Sequence, residues 1–173
     1  QALARLNGPA SSLLGLERTA LNFLQRLSGI ATLSAKFVDR VKGTRARIYD
    51  TRKTTPGLRE LERYAVRCGG AQNHRLNLAG AVLIKDNHLV LLDGDVRRAV
   101  QSAREKCPDL PVEVEVEDIQ QVGAALESGA DIILLDNMCV SDVAQVVALA
   151  DALPEERRPA LEASGGISLD NVV

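Results

Sequence analysis

The sequence of 173 residues contains no tryptophan and only four aromatic residues, two tyrosines and two phenylalanines. Surfaces that bind single-stranded nucleic acid stack the bases on aromatic side chains, so this composition argues against a nucleic-acid partner. No apolar run in the sequence approaches the roughly 20 residues that a membrane-spanning helix needs. We therefore expect neither a nucleic acid nor a membrane as a partner.

Cysteine is also scarce, and its spacing argues against two structural roles. Cys68, Cys107 and Cys139 are odd in number and include no Cys-x-x-Cys pair. A structural zinc site or a disulfide scaffold is therefore disfavoured, and the pattern is typical of the reducing cytoplasm. The chain starts with Gln1 rather than Met, and no basic start leads into an apolar stretch. We expect no signal peptide and a start within a longer protein.

The charged residues are ordinary in number but unevenly distributed. Apolar residues make up 46% of the chain and charged residues 25%, which is typical of a folded domain. Residues 36–75 hold eleven Lys or Arg against four acids, a net charge of +7, whereas residues 105–136 hold nine acids against one Lys, a net charge of −8. This contrast suggests an anionic ligand together with a cation. Two solvated faces of opposite sign would produce the same counts, so both interpretations stay open.

The apolar pattern predicts alternating helices and strands. One helix is predicted up to about residue 27, and a second from about residue 30 to 42, after a break at Ser28-Gly29. Strands are predicted at 47–51, 81–84, 112–116, 131–135 and 160–163, with helices at 58–68, 96–103, 118–128 and 141–152 between them, and another helix begins at 169. Such alternation implies parallel strands with right-handed crossovers.

Five strands are too few for a closed eight-stranded barrel, which runs to roughly 250 residues. An open sheet, a partial barrel and a fragment all remain compatible with the pattern. We expect an α/β fold, a partial or open (β/α) barrel of parallel strands preceded by two helices. Residues 1–43 would form the helical segment and residues 44–173 an incomplete barrel domain.

Polar or charged residues stand where every predicted strand ends. They are Arg52-Lys53, Lys85-Asp86, Glu113 with Glu115, Asp136-Asn137, and Ser164-Gly165-Gly166. The carboxyl ends of parallel strands form the active site of α/β barrels, so the repetition favours a functional site. Glu113 and Glu115 are two apart and therefore share one face of their strand. If the neighbouring valines pack against helices, these Glu side chains point into the barrel towards a Lys or a metal; a solvated edge strand is the alternative.

Two loops and one His-Arg pair have the composition of anion sites. Thr51–Gly57 holds two cations and three hydroxyls, and its Arg can grip a planar carboxylate through two parallel hydrogen bonds. The turn Ser164–Ser168 would let backbone amides approach a phosphate. Plain turns account for either loop equally well. His74, beside Arg75, can hold a carboxylate, although a single His is more often a structural hydrogen-bonding residue.

Taken in order, several of these segments resemble one family. The segments are Asp50-Thr51-Arg52-Lys53-Thr54-Thr55-Pro56-Gly57, Asn73-His74-Arg75, Ile84-Lys85-Asp86-Asn87-His88, Leu134-Leu135-Asp136-Asn137 and Glu162-Ala163-Ser164-Gly165-Gly166-Ile167. Together with Glu17–Asn22 and Ser28–Ala31 they resemble quinolinate phosphoribosyltransferases over essentially the whole chain. The Ser-Gly-Gly segment alone is not specific, but the ordered combination is.

The resemblance implies a reaction and a cofactor. Quinolinate and 5-phosphoribosyl 1-diphosphate (PRPP) would be the substrates, with Mg²⁺, and nicotinate mononucleotide, pyrophosphate and CO₂ the products, in NAD biosynthesis. The charge pattern agrees, because both substrates are polyanions and Mg²⁺ prefers oxygen ligands. The resemblance also implies a homodimer in which Arg18 reaches the neighbouring subunit's site.

The residue roles implied by the resemblance fall into two groups. The quinolinate carboxylates would be held by Arg52, Lys53, Thr54, His74 and Arg75. Lys85 would lie near quinolinate and PRPP, Glu115 and Asp136 near the ribose and the metal, and Ser164, Gly165 and Gly166 around the 5-phosphate. Of these, Lys85, Glu115 and Asp136 are the catalytic candidates.

Two alternatives remain beside this assignment. A related phosphoribosyltransferase with another pyridine or base as acceptor would not need paired cations at Arg52 and Arg75. A non-catalytic interaction domain on a decayed barrel would be expected to have lost some strand-end charges. In the family an N-terminal domain precedes the barrel and further barrel units follow it. We expect a fragment that lacks both, and we do not expect full activity from these residues alone.

Overall fold

The computed structural model describes residues 2–74 and 80–173 of the chain. These residues form two compact units, one of residues 2–74 with Val172 and Val173, the other of residues 80–171. Arg75 lies outside the described residues, so its predicted role stays a prediction. The boundary expected at residue 43 likewise stays a prediction. None of the described helices has the length and apolar character that crossing a membrane requires.

The first unit contains two helices, α1 (Ala10–Arg40) and α2 (Arg59–Cys68). The break predicted at Ser28-Gly29 is wrong, because α1 runs through it as one helix of 31 residues. A single glycine costs a helix only about 1 kcal/mol, and no proline is present to remove a backbone donor. The two helices predicted before residue 43 are therefore one helix, α1. The second helix before the first strand is α2.

The two helices of this unit approach closely where α2 ends. A Cβ atom on Gly69 would lie 2.4 Å from the carbonyl oxygen of Ala31 and 2.6 Å from Cβ of Ser34. Only glycine fits such a contact without displacing the backbone of α1. Gly69 therefore marks the end of the helix, which was predicted to stop at residue 68, and also the packing of α2 on α1.

The strand predicted at 47–51 is reduced to one parallel bridge between Tyr49 and Gln72. Gln72 N–H donates to Ile48 O at 2.8 Å, and Asp50 N–H donates to Gln72 O at 2.9 Å. The next donor, His74 N–H, bonds to Oδ1 of Asp50 at 2.7 Å instead of to a main-chain oxygen. The ladder ends there because a side chain has replaced the backbone acceptor.

The second unit is a parallel sheet covered by helices. Its elements are β1 (Val82–Ile84), α3 (Asp86–Val90), α4 (Val96–Lys106), β2 (Val112–Val116), α5 (Ile119–Ser128), β3 (Ile132–Asp136), α6 (Val140–Asp151), a 3₁₀ turn (Glu155–Arg157) and β4 (Ala160–Ser164). The four strands lie in the order β1-β2-β3-β4, and every pair is parallel. This confirms the open α/β arrangement, although α3 was not predicted. The helix expected from residue 169 is a turn, in which Ser168 N–H donates to Oδ1 of Asn171 at 2.7 Å.

Alternation along the strands separates an apolar face from a charged face. Val112, Val114 and Val116 are completely buried in a core that also contains Ile133 and Leu135. Val114 and Val116 pair in register with Ile133 and Leu135, so the alternate residues of β2 and β3 share the face that the helices cover. The intervening residues, including Glu113 and Glu115, lie on the opposite face. The predicted orientation of the two Glu side chains, away from the helix-packed valines, is therefore confirmed.

Candidate active site

The loop of residues 51–57 in the first unit presents two cations. Arg52 and Lys53 are exposed, and within the part of the chain that the structure describes neither side chain forms an ion pair. The loop turns because Lys53 N–H donates to Oγ1 of Thr51 at 3.2 Å and Gly57 has a φ of +77°. The two positive charges are thus available to an anionic ligand.

The start of this loop is tied to the segment that carries His74. The carboxylate of Asp50 accepts from Nδ2 of Asn73 at 2.6 Å and from His74 N–H at 2.7 Å. Arg63, whose side chain is 5% exposed, lies 3.4 Å from Oδ1 of Asp50 and donates to His74 O at 2.8 Å. The ring of His74 meets that of Tyr49 edge-on, with centroids 6.4 Å apart. Sequence reasoning gave Asp50 and Arg63 no individual role, although both fix the backbone next to predicted ligands.

The end of the loop is held by a second network, which sequence reasoning missed. Glu62 of α2 accepts from Nε and Nη2 of Arg26 at 3.0 and 2.5 Å, and from Thr55 N–H at 3.1 Å. Nη2 of Arg26 also donates to Oγ1 of Thr55 at 2.5 Å. Hydrogen bonds from Arg26, and then from Thr55, hold the pKa of the Glu62 carboxyl below its usual value. A groove of about 400 Å³ runs past these residues and past Lys53 and Thr54.

In the second unit, the carboxyl ends of the strands carry an ion pair. Nζ of Lys85, directly after β1, lies 3.2 Å from Oε2 of Glu115 in β2. Their side chains are 39% and 13% exposed, so the pair is reachable from one side. His88 Nδ1 accepts from Lys85 N–H at 2.9 Å and fixes the backbone there. Two of the three catalytic candidates are therefore in direct contact.

Asp136 and Ser164 end adjacent strands and are paired in register. Asn137 N–H donates to Ser164 O at 2.8 Å, and the side-chain amide of Asn137 donates to Oδ2 of Asp136 at 3.0 Å. Asn137 has a φ of +54°, which Asn tolerates better than most residues. The third catalytic candidate is thus joined to the predicted phosphate turn by backbone and side-chain hydrogen bonds.

The turn after β4 can be formed only with glycine at its first position. Gly165 has a φ of +83°, and a Cβ atom there would lie 2.1 Å from Oδ1 and 3.0 Å from the backbone N of Asn137. Gly166 has a φ of +64° but open space around it. Exposed backbone in such a conformation is suited to an anion, because no side chain stands between the amides and the ligand.

The charged face of the sheet bears further carboxylates near this edge. Glu113, 2% exposed, precedes Glu115 by two residues on the same face. Glu162 lies two residues before Ser164 in β4 and shares that face through its pairing with Leu134. Sequence reasoning weighed Glu113 but overlooked the charge of Glu162, because its strand looked apolar apart from this one residue.

The structure thus places the predicted residues in two groups. Arg52, Lys53, Thr54 and His74 belong to the first unit, and Lys85, Glu115, Asp136, Ser164, Gly165 and Gly166 line one edge of the sheet in the second. Arg18 is exposed on α1. Lys85 with Glu115, and Asp136 with Ser164, are the predicted residues that the structure brings together directly.

The open parallel sheet carries a cation, carboxylates and a glycine turn along its carboxyl edge, which is the edge where α/β barrels form their sites. Comparison with known families specifies it further. Residues 30–173 match the family described as "Quinolinate phosphoribosyl transferase, C-terminal domain". The chain belongs to this family, as the sequence motifs predicted.

Relatives and solved structures support the assignment. The chain is 47% identical over 173 residues to the "Nicotinate-nucleotide pyrophosphorylase [carboxylating]" of Mycobacterium leprae, covering 99% of this chain and 59% of that protein. The human protein of the same name is 43% identical, with 98% and 57% covered. The crystal structure of NadC from Streptococcus pyogenes has a TM-score of 0.82 at 44% identity, with 95% and 56% covered. The chain thus spans less than three fifths of these relatives' length.

Proposed function

We propose that the complete protein transfers the phosphoribosyl group of PRPP to quinolinate and releases CO₂ and pyrophosphate, forming nicotinate mononucleotide for NAD biosynthesis. Membership of the family and the names of the relatives support this proposal. The structural observation that carries it is the edge of the sheet where the Lys85–Glu115 pair and Asp136 adjoin the glycine turn. A cation, carboxylates and an open backbone turn suit a substrate that carries a phosphate, a pyrophosphate and a developing positive charge.

Quinolinate would be bound through its two carboxylates by cations of the first unit. Arg52 and Lys53 are exposed and without ion pairs among the described residues, and Thr54 and His74 belong to the same unit. Arg75 is proposed with them from the motif alone. A guanidinium can make two parallel hydrogen bonds to a carboxylate, which gives orientation as well as affinity.

PRPP would be bound at the carboxyl edge of the second unit. Backbone amides around Gly165 and Gly166, with Ser164, would hold the 5-phosphate. Glu115 and Asp136 would face the ribose, where positive charge develops as the bond between the anomeric carbon and pyrophosphate breaks. Fixed carboxylates stabilise that charge without reorganisation, because their strands already hold them in place. Lys85 would balance the charge of Glu115 and of the departing pyrophosphate.

The donor set of this edge also suits Mg²⁺. Glu115 and Asp136 offer carboxylate oxygens on one face of adjacent strands, and Mg²⁺ is usually held by one or two carboxylates together with substrate phosphates. When bound, Mg²⁺ would neutralise charge on the pyrophosphate. The residues themselves would orient the ribose.

The reaction would proceed in two stages, phosphoribosyl transfer and then decarboxylation. The ring nitrogen of quinolinate donates its electron pair to the anomeric carbon, and the carbon–oxygen bond to pyrophosphate breaks. The bond to the adjacent carboxylate then breaks, CO₂ leaves, and its electron pair stays on the ring carbon, which takes a proton from solvent. The positive ring nitrogen stabilises this carbanion, so the protein must supply orientation rather than a general base.

We also propose a homodimer in the cytoplasm, with Arg18 contributing to the neighbouring subunit's site. Arg18 is exposed on α1, a helix none of whose residues is buried within this chain. An isologous dimer would give both subunits the same contact. Neither a membrane nor a nucleic acid is proposed as a partner.

Calorimetric titration of the complete gene product with quinolinate and with nicotinate tests this proposal. The second carboxylate of quinolinate, paired with an arginine, should give at least about tenfold tighter binding, since a charge-assisted hydrogen bond contributes about 1.5–3 kcal/mol. Equal affinities would favour a related transferase with another acceptor. Absence of binding to both acids and to PRPP would favour a non-catalytic domain.

A further inference from the structure

Glu62 is a carboxylate with little access to water, and it is not among the proposed ligands of either substrate. It is 9% exposed, on the first turn of α2. A buried charge is costly unless it is paired and hydrogen-bonded, so its partners indicate what it does. Both of its oxygens are used: Oε1 faces Arg26, and Oε2 accepts from Thr55 N–H at 3.1 Å.

These hydrogen bonds form a closed ring at Thr55, in the loop of residues 51–57 that carries Arg52 and Lys53. Arg26 of α1 bonds to Oε1 of Glu62 and also to Oγ1 of Thr55 at 2.5 Å. Thr55 is therefore held through both its backbone N–H and its hydroxyl. Arg26 lies on α1 and Glu62 on α2, so the two helices fix the position of Thr55, and the loop itself does not.

The other end of the loop is fixed by the neighbouring residue of the same helix. Arg63 contacts Asp50, which precedes Thr51 in the chain, and also donates to His74 O. Consecutive buried residues of α2 thus hold both ends of a segment whose middle carries Arg52 and Lys53. Those two side chains are exposed, so the anchored ends determine where the backbone presents them.

We propose that Glu62 is a positioning residue for quinolinate. By holding Thr55 together with Arg26, it would keep the loop of residues 51–55 in the conformation that presents Arg52 and Lys53 to the carboxylates. This inference rests on the proposed function. Glu62 would act through the loop and not as a ligand, since Arg26 and Thr55 N–H already occupy its two oxygens. A preordered loop loses less conformational entropy when the ligand binds.

The variant Glu62→Gln tests the proposal because a carboxamide has one acceptor oxygen where the ring uses two. Whichever way the amide faces, either Arg26 or Thr55 N–H loses its acceptor. The Michaelis constant for quinolinate should rise about tenfold, with turnover and the Michaelis constant for PRPP within about threefold of the parent. Glu60→Gln, which removes an exposed acid two residues away on the same helix, is the matched control and should change none of these values beyond about twofold.

A rise in the Michaelis constant for quinolinate alone would support the positioning role of Glu62, because general loosening of the fold would change both Michaelis constants and turnover together. An unchanged quinolinate constant, or equal changes for both substrates, would overturn the proposal. If Glu62→Gln does not fold, Arg26→Lys keeps the positive charge beside Glu62 but loses the planar guanidinium that bonds to Glu62 and Thr55 together, and it should give the same split. If the parent has no activity with quinolinate, the proposed function fails first. Amide exchange at Thr55, faster in Glu62→Gln than in Glu60→Gln, would then still show whether Glu62 holds the loop.

Discussion

Replacing Gly165 with Ala should damage the turn after β4 more than the same change at Gly166. Both residues have positive φ, +83° and +64°, so Ala at either position costs about 1–2 kcal/mol of backbone strain. At Gly165 the new Cβ atom would also lie 2.1 Å from the side chain and 3.0 Å from the backbone of Asn137, whereas Gly166 has open space. Forcing a methyl group into such a contact costs about 1–3 kcal/mol more.

Urea unfolding of the complete protein, followed by circular dichroism, measures this difference. We expect Gly165→Ala to lose about 1–3 kcal/mol more than Gly166→Ala, with the larger rise in the Michaelis constant for PRPP. Adding Asn137→Gly to Gly165→Ala should recover most of that excess, because it removes the side chain that the methyl group meets. Equal losses for the two single variants, or no recovery in the double variant, would refute the proposed contact.

Four further predictions concern Arg52, Asp136, Arg18 and Glu62. Arg52→Lys should raise the Michaelis constant for quinolinate about tenfold despite conserving the charge, because Lys cannot make the two-bond contact; an unchanged constant in steady-state assays would contradict this. Asp136→Asn should lower turnover far more than it weakens quinolinate binding, and turnover within about threefold of the parent would exclude the electrostatic role. Mixing the inactive variants Arg18→Ala and Arg52→Ala should restore up to about a quarter of native activity through exchanged dimers, whereas verified exchange without recovery would mean that Arg18 serves its own subunit's site or only the fold. Because hydrogen bonds from Arg26 and Thr55 lower the pKa of Glu62, its stabilising contribution is complete above the ordinary value of 4.5 and is lost as the pH falls through the lower folded value. The unfolding free energies of the parent and Glu62→Gln should therefore converge in acid, and a pH-independent gap would be the contrary result.

The sheet and its charged edge were largely predictable from the sequence. β2 has the predicted bounds, and β3 has the predicted length but lies one residue further along the chain. The prediction succeeded because buried strands that alternate with capped helices have a clear local pattern. The placement of Glu115 and Asp136 at the carboxyl edge of the sheet was predictable for the same reason, since each stands at or near the end of its strand. Strand alternation also predicted which face the Glu side chains would occupy.

The first unit was less predictable because long-range hydrogen bonds decide its structure. Asp50 ends the short ladder by bonding to His74, 24 positions away. Arg26 reaches Glu62 over 36 positions, and nothing in the local pattern of either helix predicts that contact. Glu62 and Arg63 are buried by packing that the local sequence of α2 does not reveal. Arg and Glu are mostly exposed in proteins, so composition favours the wrong interpretation at these positions.

The most direct test of the proposed function is the stoichiometry of product release by the complete protein with PRPP and Mg²⁺. Quinolinate labelled in the carboxylate beside the ring nitrogen counts the CO₂, and PRPP labelled in its pyrophosphate counts the pyrophosphate in the same reaction. We predict one CO₂ and one pyrophosphate for each nicotinate mononucleotide formed, and no pyrophosphate when nicotinate replaces quinolinate. Pyrophosphate release with nicotinate but not with quinolinate, or without any CO₂, would contradict the proposed function.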